Sequence, residues 1–92
     1  MKTFEKLIDS MPTEKDIDGN VINAPVFIGE DDRGNSRLVL SAENETSFYF
    51  ADYYGEFRDG YPWVNPALEA WAKDRGYFWE WMNPGALSLV KA

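Results

Sequence analysis

Two apolar runs, Val26-Phe27-Ile28 and Leu38-Val39-Leu40, narrow the fold more than any other feature of the chain. Both have strand composition, and Asp32-Arg33-Gly34 between them suits a three-residue hairpin loop, a type I turn with Gly34 in the left-handed region. Zipping outward pairs Asp31 with Asn35, Glu30 with Ser36, Gly29 with Arg37, Ile28 with Leu38, Phe27 with Val39 and Val26 with Leu40. Val26, Ile28, Leu38 and Leu40 then share one face, and Phe27 and Val39 the other. A slip of one residue would destroy that agreement. The hairpin tip carries Glu30, Asp31, Asp32, Arg33 and Arg37 and is expected to project from the sheet.

The flanking segments are read around this hairpin. Phe4, Leu7, Ile8 and Met11 recur at the spacing of one helical stripe, so residues 3–11 form a short amphipathic helix, capped by Thr3 and stopped by Pro12. Asp16-Ile17-Asp18-Gly19-Asn20 superficially resembles a calcium loop, but Phe27 stands where an EF-hand needs its bidentate acid; a polar turn is the better reading. Thr46 to Ala51 reads as a third strand, with Phe48 and Phe50 on one face. Residues 52–63 hold two glycines and a proline and read as irregular chain.

Asn65-Pro66 opens the clearest helix, an N-cap followed by a proline at the first helical position. Leu68, Trp71, Ala72 and Arg75 form its stripe, and Gly76 ends it. Tyr77 to Met82 is a fourth strand and Ala86 to Val90 a fifth. Asn83-Pro84-Gly85 turns between them, with Gly85 expected at positive φ and the connection looser than a two-residue loop. The order predicts a single α+β domain over residues 1–92, a largely antiparallel sheet of about five strands with two short helices.

The chain's 92 residues suit one domain, and that domain has no covalent staple because Cys is absent. His is absent too, which removes imidazole metal ligands and His-based catalysis. No acid pair stands out for glycosidase chemistry; Asp31-Asp32 could hold a divalent cation in a turn, although adjacent strand residues would point to opposite faces, and catalysis, metal and cofactor are not expected. The first residues lack an apolar signal segment, and no apolar run approaches the ~18 residues of a bilayer span, so a cytoplasmic protein is expected.

The formal charge is −7, which disfavours membranes and duplex DNA as direct partners. Residues 30–60 hold eight of the acids (Glu30, Asp31, Asp32, Glu43, Glu45, Asp52, Glu56 and Asp59) against Arg33, Arg37 and Arg58. Such a surface complements the basic groove of a nucleic-acid-binding protein, although wet loops also collect charge. Tyr53, Tyr54, Phe57, Tyr61 and Trp63 share the stretch. Phe57 and Trp63 read as core, while Tyr53, Tyr54 and Tyr61 are candidate interface anchors beside the tip. Trp71, Trp79 and Trp81 read as core; if the face of Trp79 and Trp81 were open, it would make a ligand platform.

The small Cys-free, His-free acidic chain, its opening Met1-Lys2-Thr3-Phe4-Glu5-Lys6 and the tip Glu30-Asp31-Asp32-Arg33-Gly34-Asn35-Ser36-Arg37 together resemble, in general character, a phage-encoded anti-CRISPR protein of the type I-F group. That resemblance implies a non-catalytic inhibitor in the host bacterial cytoplasm. It would dock on Cas subunits of an RNA-guided surveillance complex and prevent target DNA recognition. Glu30, Asp31 and Asp32 would then meet Lys and Arg of a Cas subunit, and Arg33 and Arg37 would meet acidic residues or the guide RNA backbone. Two other expectations stand beside it: an acidic immunity-type inhibitor of a nuclease or toxin, and a small ligand-binding module built on Trp79 and Trp81.

Overall fold

The computed structural model describes residues 3–54 and 62–92. Helix α1 (Thr3–Asp9) precedes a short pair of strands, β1 (Glu14–Lys15) and β2 (Val21–Ile22). The hairpin β3 (Val26–Glu30) and β4 (Ser36–Ser41) follows, then a 3-10 turn (Ser47–Tyr49) and strands β5 (Ala51–Asp52) and β6 (Trp63–Val64). Helix α2 (Pro66–Asp74) leads into the final hairpin, β7 (Tyr77–Asn83) and β8 (Ala86–Lys91). The order is α+β, and the main sheet is antiparallel with strand order β3-β4-β8-β7.

The β3–β4 register is the one expected from the pattern: Val26 faces Leu40, Phe27 faces Val39 and Ile28 faces Leu38, out to Glu30 and Ser36. Gly34 has φ +79, the left-handed geometry that a side chain strains to adopt. Alternation along the other strands completes one apolar face. Leu38 and Leu40 of β4 lie beside Leu87 and Leu89 of β8, with Tyr77, Trp79 and Trp81 of β7 packed on the margin.

Leu68, Trp71 and Ala72 of α2 are buried against that core, together with Met11, Phe50 and Ala51. Each large apolar side chain so buried contributes about 1.5–3 kcal/mol. Phe4, Leu7 and Ile8 of α1 pack on the same core. The Trp71 Nε1–H donates to Ser10 Oγ at 3.1 Å and ties the two helical segments together.

Helix α2 carries the expected ends. Asn65 Oδ1 accepts the Ala67 N–H at 2.8 Å, Pro66 occupies the first turn, and Gly76 follows at φ +83. Arg75 closes the helix with its guanidinium 5.2 Å from the centre of the Trp71 ring, and it donates to the Trp71 carbonyl at 3.1 Å.

Two expectations are corrected. Thr46 to Ala51 is not a strand of the main sheet, which has four strands. The Ser47 hydroxyl donates to the Ser41 carbonyl at 2.8 Å and accepts the Asn44 N–H at 3.0 Å. These local bonds give the backbone an alternative to a sheet ladder and curl it into the 3-10 turn. Only Ala51 and Asp52 extend, and they pair with Val64 and Trp63. Phe50 is still fully buried, while Phe48 is half-buried and stacks on Tyr49 at 4.4 Å.

The second correction concerns Gly85, which is not at positive φ; the connection is a tight Pro84-Gly85 loop. Asn83 Oδ1 accepts the Gly85 N–H at 2.8 Å, and a bulge between Trp81 and Asn83 absorbs the twist that such a loop would otherwise mismatch. A Cβ there would stand 2.5 Å from Cδ of Glu43, the end of an exposed side chain, so a larger residue fits only if Glu43 moves aside.

Candidate functional site

The tip of the β3–β4 hairpin is built around one carboxylate. Asp31 Oδ1 accepts the backbone N–H groups of Arg33 at 2.8 Å and Asn35 at 2.9 Å. The Asp31 N–H donates to the Asn35 carbonyl at 2.9 Å, and the Gly34 N–H donates to the Asp31 carbonyl at 3.0 Å. Asn35 Nδ2 and the Arg37 guanidinium approach Oδ2 at 3.5 and 3.9 Å. The backbone N–H of Asn35, then that of Arg33, with smaller help from the Asn35 amide and the Arg37 charge, hold the Asp31 carboxyl below its ordinary value of 3.8.

Asp31 is therefore an internal brace of the loop, and it is not a free charge like its neighbours. Glu30, Asp32 and Arg33 are exposed around it. With Asp31, Asn35, Arg37 and the exposed Met82 of β7 they line a shallow concavity of ≈ 420 Å³. Arg37 is half-buried and turned toward Asp31. The tip thus presents two carboxylates and one guanidinium on a loop whose shape is pinned by five hydrogen bonds. Such a surface can form charge-assisted hydrogen bonds to Lys or Arg without first ordering its own backbone.

The same construction occurs once more. Asp16 Oδ1 accepts the N–H groups of Asp18 at 2.9 Å and Asn20 at 2.8 Å, and Gly19 stands at φ +85 between β1 and β2. Both loops read Asp-x-x-Gly-Asn, a repeat that was open to sequence reading and identifies both leading aspartates as turn braces. The turn reading of residues 16–20 holds. Among the described residues, no group of three or more acids could hold a metal ion.

Tyr53 and Tyr54 are not among the residues that line the tip. Tyr53 packs edge-on against Trp81 at 5.0 Å and against Tyr54 at 5.2 Å. Tyr53 and Tyr54 line a separate cleft of ≈ 430 Å³ with Ala42, Glu43, Pro84 and Gly85. That cleft adjoins the β4 end that leads into Ala42, opposite to the end that carries the tip. Tyr53 and Tyr54 therefore belong to a different concavity from the tip, and Tyr54 is 60% exposed there. Tyr61 and Phe57 lie outside the described residues.

Trp79 and Trp81 form no open platform. Both are partly buried on the core face; Trp79 stacks on Trp71 at 6.2 Å and donates its Nε1–H to the Leu68 carbonyl at 3.3 Å. Sequence reasoning missed instead the exposure of β3, where Phe27 and Ile28 are 54% and 44% accessible. Their strand sits at the sheet margin, which no local pattern reveals.

Among the described residues, no helix is long and apolar enough to cross a membrane. No family model, curated protein or solved structure matches the chain.

Proposed function

We propose that this chain is a non-catalytic inhibitor that docks its acidic hairpin tip on a basic, nucleic-acid-binding surface of a protein assembly. The resemblance noted in the sequence makes an RNA-guided Cas surveillance complex the assembly of choice, with target DNA recognition as the step that is blocked. The observation that carries the reading is the tip itself. Glu30 and Asp32 stand exposed on a loop that Asp31 holds in one shape, within a chain of net charge −7. Fixed carboxylates of this kind complement Lys and Arg side chains that otherwise hold phosphates.

The test is titration of a guide-loaded surveillance complex with the chain, reading target DNA binding. The wild-type chain should abolish it, and the double variant Glu30→Lys/Asp32→Lys should not. Full inhibition by the double variant would remove the tip from the mechanism. Capture of a nuclease from a purified panel, with no effect on the surveillance complex, would move the reading to the immunity-type inhibitor.

A further inference from the structure

We propose that the outer edge of β3 accepts an extended, basic segment of the partner as an added strand, continuous with the acidic tip. This rests on the acidic-docking reading above and specifies how the partner's chain would lie.

Backbone alternation supplies the first support. The Asp31 N–H donates to the Asn35 carbonyl, and the Ser41 N–H donates to the Pro25 carbonyl, both at 2.9 Å. Residues 25 and 31 therefore bond inward to β4 or its extensions, and Phe27 and Gly29 share their phase. Ile28 and Glu30 have the opposite phase, so their N–H and C=O groups point away from β4. Among the described residues β3 pairs with β4 alone.

Natural sheets guard such an edge with Lys, Pro, a bulge or a covering element. Within Val26–Glu30 there is no Lys and no Pro, and the register runs without a bulge. The opposite edge is different: β7 has a bulge between Trp81 and Asn83 and an exposed Glu80 in mid-strand. Both edges expose apolar side chains, Phe78 and Met82 on β7 as well as Phe27 and Ile28 on β3, so it is the unbroken, bulge-free ladder that sets β3 apart, with Phe27 on one face and Ile28 on the other.

Charge selects the occupant. The edge ends in exposed Glu30 and continues to exposed Asp32, so an added strand needs a cation opposite each. Opposite Phe27 and Ile28 it needs apolar side chains. A second copy of this chain fits poorly, since each copy carries −7.

The probe is acetyl-Lys-Thr-Lys-Thr-Ile-Val-Thr-amide, with its reversed sequence as a second arm, titrated into the full chain. Hydrogen exchange should show Phe27 and Gly29 amides protected in the free chain, and Ile28 and Glu30 amides protected only with probe bound. N-methylation of one alternate set of probe residues should weaken binding about ten-fold or more, and methylation of the other set should not. Ile28→Pro, which removes an outward donor, should have a similar effect.

Absence of binding by both arms up to about 1 mM would overturn the proposal. So would binding that neither methylation nor Ile28→Pro alters. Protection of Ile28 and Glu30 that rises with protein concentration alone would overturn the choice of a basic partner in favour of a second copy. Failure of the inhibitor reading is a separate result: the surveillance complex would ignore the wild-type chain while the probe still protected Ile28 and Glu30.

Discussion

Asp31 and Asn35 are joined twice across the hairpin loop: the Asn35 N–H donates to Asp31 Oδ1, and the Asp31 N–H donates to the Asn35 carbonyl, each at 2.9 Å. Asp16 and Asn20 repeat the pair at 2.8 and 3.0 Å. Two successive hairpin loops, fifteen residues apart, thus use one device, in which a carboxylate replaces the ladder that the turn interrupts.

Asp31→Asn keeps the acceptor oxygen and removes the charge, so it should lower the melting temperature at neutral pH and speed amide exchange at Arg33 and Asn35. The folded-state pKa of Asp31 is depressed, chiefly by the Asn35 and Arg33 amides. Its stabilising contribution is therefore present above the unfolded value of about 3.9 and is lost as pH falls through the lower, folded value. Melting curves of the wild type and Asp31→Asn should converge below about pH 4. Asp32→Asn, at an exposed position of the same loop, should leave the melting temperature at neutral pH unchanged, and a parallel loss there would contradict the brace role.

Asn65 should prove the most sensitive polar position. Its Oδ1 caps α2, and its Nδ2 donates to Glu14 Oε2 and to the Tyr49 carbonyl, both at 2.9 Å. The side chain is buried, so truncation strands groups on three segments of the chain. Asn65→Ala should cost about 1–3 kcal/mol in urea denaturation. Asn65→Asp preserves the cap but sets a carboxylate against Glu14 and a carbonyl. It should be destabilised at pH 7 and recover as pH falls and the acid pair takes up a proton.

Gly85 offers a test of close approach against backbone freedom. Its φ is not positive, so alanine is conformationally acceptable, yet a Cβ would stand 2.5 Å from Glu43 Cδ. Gly85→Ala alone should be neutral to mildly destabilising as Glu43 swings away. In a Glu43→Ala background the same change should stabilise by about 0.4–1 kcal/mol, because it restricts the unfolded chain. A double-mutant cycle measured by denaturation separates the two terms.

The parts of the fold legible in the sequence are those set by local pattern. Val26 to Leu40 declared its register because period-2 apolar runs flank a loop that needs Gly34 at positive φ, and Asn65-Pro66 to Gly76 bracketed α2 with its own caps. Phe48-Tyr49-Phe50 misled because strand composition was outweighed by the hydroxyl of Ser47. A residue list does not show which carboxylate the backbone claims, so the bracing role of Asp31 is visible only in the folded loop. That Tyr53 and Tyr54 share a cleft with Pro84 and Gly85 depends on β4 pairing with β8, a contact across about half the chain that no short-range signal encodes.

Glu30 and Asp32 are exposed, so their attraction for a basic surface acts mainly during approach and at the rim of the contact. Reversing both to Lys should lower the association rate constant more than it raises dissociation, and should flatten the salt dependence of association. Surface plasmon resonance at two ionic strengths reads both quantities. A variant that dissociates faster while associating at the wild-type rate would place these carboxylates inside the desolvated contact, where they hold the complex together after it has formed.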